Sequence, residues 1–451
     1  MRKLIPLLTL LIFIPLLISS YNFFSSKLVI SFYDEEQWIG MSAFLQPYLE
    51  RNFSTKVWDT YYTIDEPTLM YFTYGLWLYP KYLKEKTINN NLDYNKYLIL
   101  HGFYHLRHID EYRNFQDSLG NQFVTLKVAD FGFPEELVGR YGKGILKNIE
   151  IIQYSRILNT LFLTFTVTLL FQFIRKNKGY FTALIFSFFY AFNYLILTVC
   201  LPANADALFL FLFNLSLITL FKYLESQKLK YLILFSVFTG LLFSTKLNGL
   251  MIYFLYVILA IIFWFSTKDD NKTFFIKLFK IFLPLPILIP VFIILNPYTY
   301  PSPLLNLQAM FFHRVEAAAY QSIMLPDVAL STLGQRIVFI TETFLNNHLF
   351  IEFNMTPIYK AITILMFMVG ILYEIKQIFQ SNKFSKFMFI SFVVIFLITL
   401  SYIQLAWTRY LIQLTLFVIY YQSIGIITSL NLIKKGLSKL IILTKPSLLN
   451  R

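Results

Sequence analysis

About ten apolar runs divide this chain: 4–20 (continuing to about 30), 157–174, 180–201, 207–221, 231–244, 250–266, 279–295, 361–373, 387–406 and 411–433. About twenty apolar residues in a helix cross a hydrocarbon layer roughly 30 Å thick, so runs of this length leave few choices but to span a bilayer. Basic residues mark alternate gaps. They gather at Arg175-Lys176-Asn177-Lys178, at Lys222, Lys228 and Lys230, at Lys268, at Lys376, Lys383 and Lys386, and at Lys434-Lys435. Positive charge is retained on the cytoplasmic side, which puts both termini there and both long gaps, 31–155 and about 297–356, on the outer face.

Met1-Arg2-Lys3 and the run that follows imitate a secretory signal, but no small-x-small site comes after Ser20 and apolar sequence continues to Phe32. Residues 1–30 are therefore expected to be an uncleaved first transmembrane helix. Only 14% of residues are charged and 57% are hydrophobic, against roughly 25% charged in soluble domains. The expected fold is an all-α membrane protein of about ten transmembrane helices, one integral domain over 1–451. Its bundle, 156–451, follows a large first outer loop, 31–155, that carries juxtamembrane helices. Within that loop, 69–79 and 97–106 are too short or too mixed to span, and their Trp and Tyr content suits helices lying in the interface.

The net charge of +14 resides largely in the clusters between apolar runs. It points to membrane lipids as partners and away from nucleic acid. A single cysteine, Cys200, excludes an intramolecular disulfide and an all-Cys metal site. Gly139-x-x-Gly142-x-Gly144 has the wrong order for a dinucleotide fingerprint, and no Walker pattern occurs.

The outer ends of the runs collect charges beside hydrocarbon. Asp34 and Glu35 follow the first run, and a carboxylate desolvated at such a boundary can act as a general base. These two are the candidate catalytic residues. Lys246, Arg409 and Arg156 are basic on the side where positive charge is sparse. Snorkelling to headgroups explains any one of them, but the three together fit a shared anionic ligand, with phosphate the natural partner. Asp65, Glu66, Asp206 and Tyr410 stand at the same outer ends, and the resemblance given below implies donor sugar or acceptor as what they bind. Such a set would remove a proton from an acceptor hydroxyl or amine while holding a lipid-linked phosphate as it departs. His101-x-x-x-His105-x-x-His108 would line one helix face. That spacing can bind a metal, but a wet interfacial helix accounts for it better. No metal ligand and no cofactor is assigned; a divalent metal stays open.

The chain resembles the polyprenyl-phosphate-sugar-dependent glycosyltransferases of the GT-C superfamily, the group of protein O-mannosyltransferases and lipid A aminoarabinose transferases. The resemblance rests on Asp34-Glu35, on Tyr154-Ser155-Arg156-Ile157-Leu158-Asn159, and on Gly240 through Gly249 with Ser244-Thr245-Lys246. It rests further on Asn296-Pro297-Tyr298 and on Trp407-Thr408-Arg409-Tyr410-Leu411. It implies a polyprenyl-phosphate-linked sugar donor, inversion at the anomeric carbon, and the first acid of the Asp-Glu pair as base or acceptor binder. The chain departs from the group at Asp65-Glu66-Pro67-Thr68-Leu69, where relatives often carry His-Pro-Pro or Lys-Pro-Pro-Leu, and in lacking a proline after Arg409-Tyr410. The expected function is sugar transfer to a lipid, glycan or protein acceptor at the outer face of the cytoplasmic membrane. A transporter or flippase of a lipid-linked or anionic substrate is the alternative. That class places ionisable groups near span centres, whereas here they sit at the ends.

Overall fold

The computed structural model describes residues 4–28, 34–88, 90, 92–101, 103, 135–264, 271–346 and 357–444. Nearly all of them are helical, and the β-pairing seen among them is a single antiparallel bridge between Ala329 and Leu405. With hydrocarbon outside, a helix is the element that satisfies its own backbone groups, and a chain this apolar takes it throughout.

Seven described helices are long and apolar enough to cross a membrane, or eight if one bent pair is a single span. Each of the ten stretches expected from the sequence is helical over most of its described residues, but they are not equal. The fifth, Leu229–Phe243, has only 15 residues. The third breaks by 53° between Tyr180–Ala191 and Tyr194–Cys200. Asn193 causes the break, because its side chain accepts the backbone N–H of Ile196 at 3.2 Å and caps a new helix. The second belongs to a helix that starts at Glu135, well before the expected boundary, and its spanning part is Ile149–Lys178. Ile151 and Ile152 carry the buried face beyond the apolar run.

Asp206–Ser226 and Thr408–Ser438 form the centre, with 83% of their apolar stretches buried, against 11% for Pro357–Phe379 at the edge. That edge helix lies very close to Ile412–Thr444. A Cβ on Gly370 would fall 1.9 Å from the Tyr421 carbonyl oxygen, and one on Gly425 would fall 1.8 Å from that of Met366. Glycines at such a crossing let two backbones touch. At one end of the bundle Lys178 Nζ donates to both oxygens of buried Glu374, at 2.7 and 3.0 Å, and lies 2.9 Å from Ser385 Oγ, joining three spans.

The other end carries the two long connections. The first packs short helices on Leu69–Lys86, with Trp38 against Tyr71 and Phe44 stacked on Trp58, both pairs 5.2 Å between ring centroids. The second contains two helices that the apolar runs did not signal, Pro303–Met324 and Leu333–Asn346. Its linker is fastened to the turn before the last span, where Leu330 N–H donates to the Gln404 carbonyl at 2.8 Å and Ala406 N–H to that of Val328 at 2.7 Å.

Candidate active site

Three local structures build this end, and each contains sequence that stood out beforehand. Arg156 and Asn159 lie one turn apart on the second span. Arg156 Nε and Nη2 donate to the two oxygens of Glu35 at 2.7 and 2.6 Å, and its Nη1 donates to the carbonyls of Ser25 and Leu28 at 2.5 and 3.2 Å. Glu35 Oε1 also accepts the backbone N–H of Ala203 at 2.7 Å. Asn159 donates to the carbonyls of Pro202 and Asn204. The loop 202–205 is thereby held from both sides, and it delivers Asp206, whose N–H is capped by the Asn204 side chain at 2.9 Å.

The second structure is a junction of backbone segments. The Asn296 side-chain oxygen accepts Thr68 N–H at 2.9 Å, and its amide donates to the Phe292 carbonyl at 2.6 Å and to Ser244 Oγ at 3.3 Å. Leu69 N–H donates to the Ser244 carbonyl at 3.1 Å. Glu66 stands two residues before Thr68 and Lys246 two residues after Ser244. The junction therefore fixes the acidic pair relative to the lysine.

The third is the turn Thr408–Leu411, held where Gln413 Nε2 donates to the Tyr410 carbonyl at 2.6 Å. It points Arg409 at Asp206. Lys246 Nζ donates to Asp206 Oδ1 at 2.5 Å, while Arg409 Nε and Nη2 donate to Oδ2 at 3.3 and 3.1 Å. Lysine and arginine from distant parts of the chain thus meet on one carboxylate.

They border a cavity of about 500 Å³ whose charged lining is Asp65, Glu66, Asp206, Lys246, Arg314 and Arg409. Trp38, Phe254, Phe311 and Ile398 are among its apolar lining. Arg314 Nη1 donates to Asp65 at 3.1 and 3.3 Å, and its Nη2 donates to Tyr410 Oη at 3.2 Å. His313 Nε2 lies 3.8 Å from Asp65. Glu66 is partly exposed and accepts no side-chain hydrogen bond among the described residues. Burial pushes its carboxyl above the ordinary range; Arg314, then Lys246 and Arg409, pull against this and Asp65 adds to it.

The structure therefore brings Lys246, Arg409, Asp206, Asp65, Glu66 and Tyr410 to one cavity. Arg156, expected as a third cation there, instead clasps Glu35, and both are buried outside the cavity lining. The physical reason is desolvation: two opposite charges enclosed together are tolerated when each fills the other's hydrogen-bonding positions. Asp34 opens the helix Asp34–Gly40, but its side chain lies outside the described residues. So do His105 and His108, while His101 Nε2 lies 2.9 and 3.0 Å from the Glu85 oxygens. Among the described residues no group of three metal-ligating side chains gathers. Arg314 was missed from sequence. Its signal is the spacing Phe311, Arg314, Val315, Ala318, one helix face that here lines the cavity.

A family model described as dolichyl-phosphate-mannose-protein mannosyltransferase matches residues 69–306, just over half of the chain. The match includes Arg156, Asp206, Lys246 and Asn296, and leaves outside it Asp65, Glu66, Arg314 and Arg409. No curated protein matches the sequence.

Proposed function

Because the chain belongs to the dolichyl-phosphate-mannose-protein mannosyltransferase family, we propose that it transfers mannose from a polyprenyl-phosphate donor to a protein hydroxyl in this cavity. Transfer takes place at the outer face of the membrane and inverts the anomeric carbon. The observation that carries the reading is the meeting of Lys246 and Arg409 on Asp206 at the cavity wall. Both cations border the cavity, and Lys246 directs one of its three ammonium donors to Asp206. A phosphate monoanion or dianion is the ligand that a lysine and an arginine side by side suit.

In the reaction, the acceptor hydroxyl gives its proton to a carboxylate, the role assigned to Asp34, as its oxygen bonds to the anomeric carbon. The bond from that carbon to the phosphate oxygen breaks on the opposite face, and its electron pair leaves with the phosphate. Lys246 and Arg409 compensate the charge that develops there. Asp206 holds the two cations in place, and Glu35, through Arg156 and Ala203, braces the loop that carries Asp206.

The test uses the full chain in lipid nanodiscs with polyprenyl-phosphate [14C]mannose and an acceptor peptide rich in Ser and Thr. Labelled peptide is expected from the wild type and not from the Lys246→Ala/Arg409→Ala double variant. Equal labelling by the two proteins would remove these residues from the donor site, and no labelling from any polyprenyl-phosphate sugar would remove the activity.

A further inference from the structure

Asp206 draws Lys246 and Arg409 together, but an anion that binds the two cations competes with Asp206 for their donors. Two like charges then keep their spacing only if the segments that carry them are tied by other means. A second tie joins those segments and uses no charged group. Its hub is Tyr402, the last residue of the span Lys383–Tyr402, which like Asn248 lines the cavity. Asn248, two residues after Lys246, donates through Nδ2 to Tyr402 Oη at 3.4 Å. Tyr402 Oη donates in turn to the carbonyl of Tyr410, the residue after Arg409, at 3.3 Å. Gln413 Nε2 lies 2.6 Å from the same carbonyl, 3.0 Å from Tyr402 Oη and 3.0 Å from Thr399 Oγ1, acceptors that share its two N–H groups. The rings of Tyr402 and Tyr410 meet edge to face, with centroids 6.0 Å apart at 89°.

We propose that Tyr402 is a positioning residue for the donor phosphate: its hydroxyl holds the Lys246 segment and the Arg409 turn at the spacing that one phosphate needs. This rests on the reading of Lys246 and Arg409 as the phosphate site. A phenol has one hydrogen to give and lone pairs to accept with. At Tyr402 the hydrogen goes to the Tyr410 carbonyl, and the acceptor side takes Asn248 and Gln413. The hydroxyl therefore acts on the ligand through the two cations and not by touching it. An arriving phosphate is drawn to charged donors, whose bonds to it are about twice as strong as those of neutral ones. It loosens Asp206 from Lys246 and Arg409 and leaves the neutral hub intact. Spacing matters here because a misplacement of about 1 Å in a reacting site can cost about a hundredfold in rate.

The experiment measures kcat and KM for polyprenyl-phosphate mannose with the full chain in nanodiscs, and the binding of sugar-free polyprenyl phosphate in parallel. Tyr402→Phe keeps the ring against Tyr410 and removes only the hydroxyl. It is expected to raise the donor KM about tenfold, the scale of one or two hydrogen bonds, and to change kcat by less than about threefold. Asn248→Ala should act in the same direction and add little to Tyr402→Phe, because both cut one tie. It also carries the test should the phenylalanine variant fold poorly. In Lys246→Ala, Tyr402→Phe should lose most of its effect on polyprenyl phosphate binding, since no spacing between two cations is left to set. A donor KM unchanged in Tyr402→Phe, or a fall in kcat and Tm alone, overturns the proposal. So does an effect as large in Lys246→Ala as in the wild type, which would mean that the hydroxyl touches the ligand. If Lys246→Ala binds polyprenyl phosphate as well as the wild type, the phosphate reading fails and the positioning proposal falls with it. If Lys246→Ala binds weakly while Tyr402→Phe binds like the wild type, only the positioning proposal is lost.

Discussion

Two clusters at the same end of the bundle each set cations against one buried carboxylate, and they are built differently. Arg156 engages both oxygens of Glu35, with the two side chains 2% and 0% exposed. Asp206 faces two cations, Lys246 and Arg409, whose side chains are 14% and 25% exposed beside the cavity. A pair sealed from water is tolerated when its hydrogen bonds are filled from within the protein. Two cations at a cavity wall are, in the function proposed above, where an anionic ligand is held. Burial separates the brace from the cluster that lines the cavity, although in sequence all three cations look alike.

The largest effect is expected where the brace is cut. Arg156→Ala removes the guanidinium that engages both oxygens of buried Glu35, and removing one partner of a buried pair costs about 3–5 kcal/mol. The variant should give little monodisperse protein and a strongly lowered Tm in detergent. Arg156→Met with Glu35→Leu should recover part of the loss, since no charge is then left alone. A Tm equal to that of the wild type in the single variant would make the two clusters equivalent and break the comparison.

The open cluster should respond the other way. Lys246→Ala and Arg409→Ala are expected to fold with a Tm within a few degrees of the wild type and to lose transfer by about a hundredfold each, the scale of a single electrostatic stabiliser in a catalytic site. The double variant should lose less than the product of the two if they hold one phosphate. Unfolding of either single variant would show that its role is structural, like that of Arg156.

What the sequence could reveal follows from the range of each interaction. The spans were legible because apolar length is a local property. The break at Asn193 was not, since one amide within an apolar run carries little weight until its cap is seen. Lys246 and Arg409 stood out as cations at the ends of apolar runs, and so did Arg156 for the same reason. Its different fate is decided by Glu35, 121 residues away in sequence. Nothing local distinguishes Asp65 from Glu66 either. Arg314, reaching in from the second long connection, hydrogen-bonds Asp65 while both acids line the cavity.

A smaller effect tests the junction that sets the acidic pair against the lysine. Asn296→Ala leaves the Thr68 N–H without its acceptor and removes the contact with Ser244. An unsatisfied buried donor costs about 1–3 kcal/mol, so Tm should fall clearly but by less than in Arg156→Ala. Transfer per folded molecule should also drop several-fold, because Glu66 and Lys246 are no longer fixed to each other. A fall in Tm with full transfer would confine Asn296 to stability.

The smallest effects are expected from exchanging one cation for the other, and they sharpen what the open cluster recognises. Lys246 presents a compact ammonium at a single 2.5 Å contact with Asp206 Oδ1, whereas Arg409 lays Nε and Nη2 together on Oδ2. Lys246→Arg keeps the charge but adds a planar fork where a point charge fits, and Arg409→Lys removes a fork that engages two donors at once. Both variants should retain transfer within about tenfold of the wild type, well above the alanine variants, because both positive charges survive. Arg409→Lys should be the weaker of the two, since a single ammonium cannot hold Asp206 and a ligand in the same plane. Equal activity would mean that the cluster reads charge alone. Loss of transfer in Lys246→Arg as deep as in Lys246→Ala would mean that shape, and not charge, governs the lysine side of the cavity.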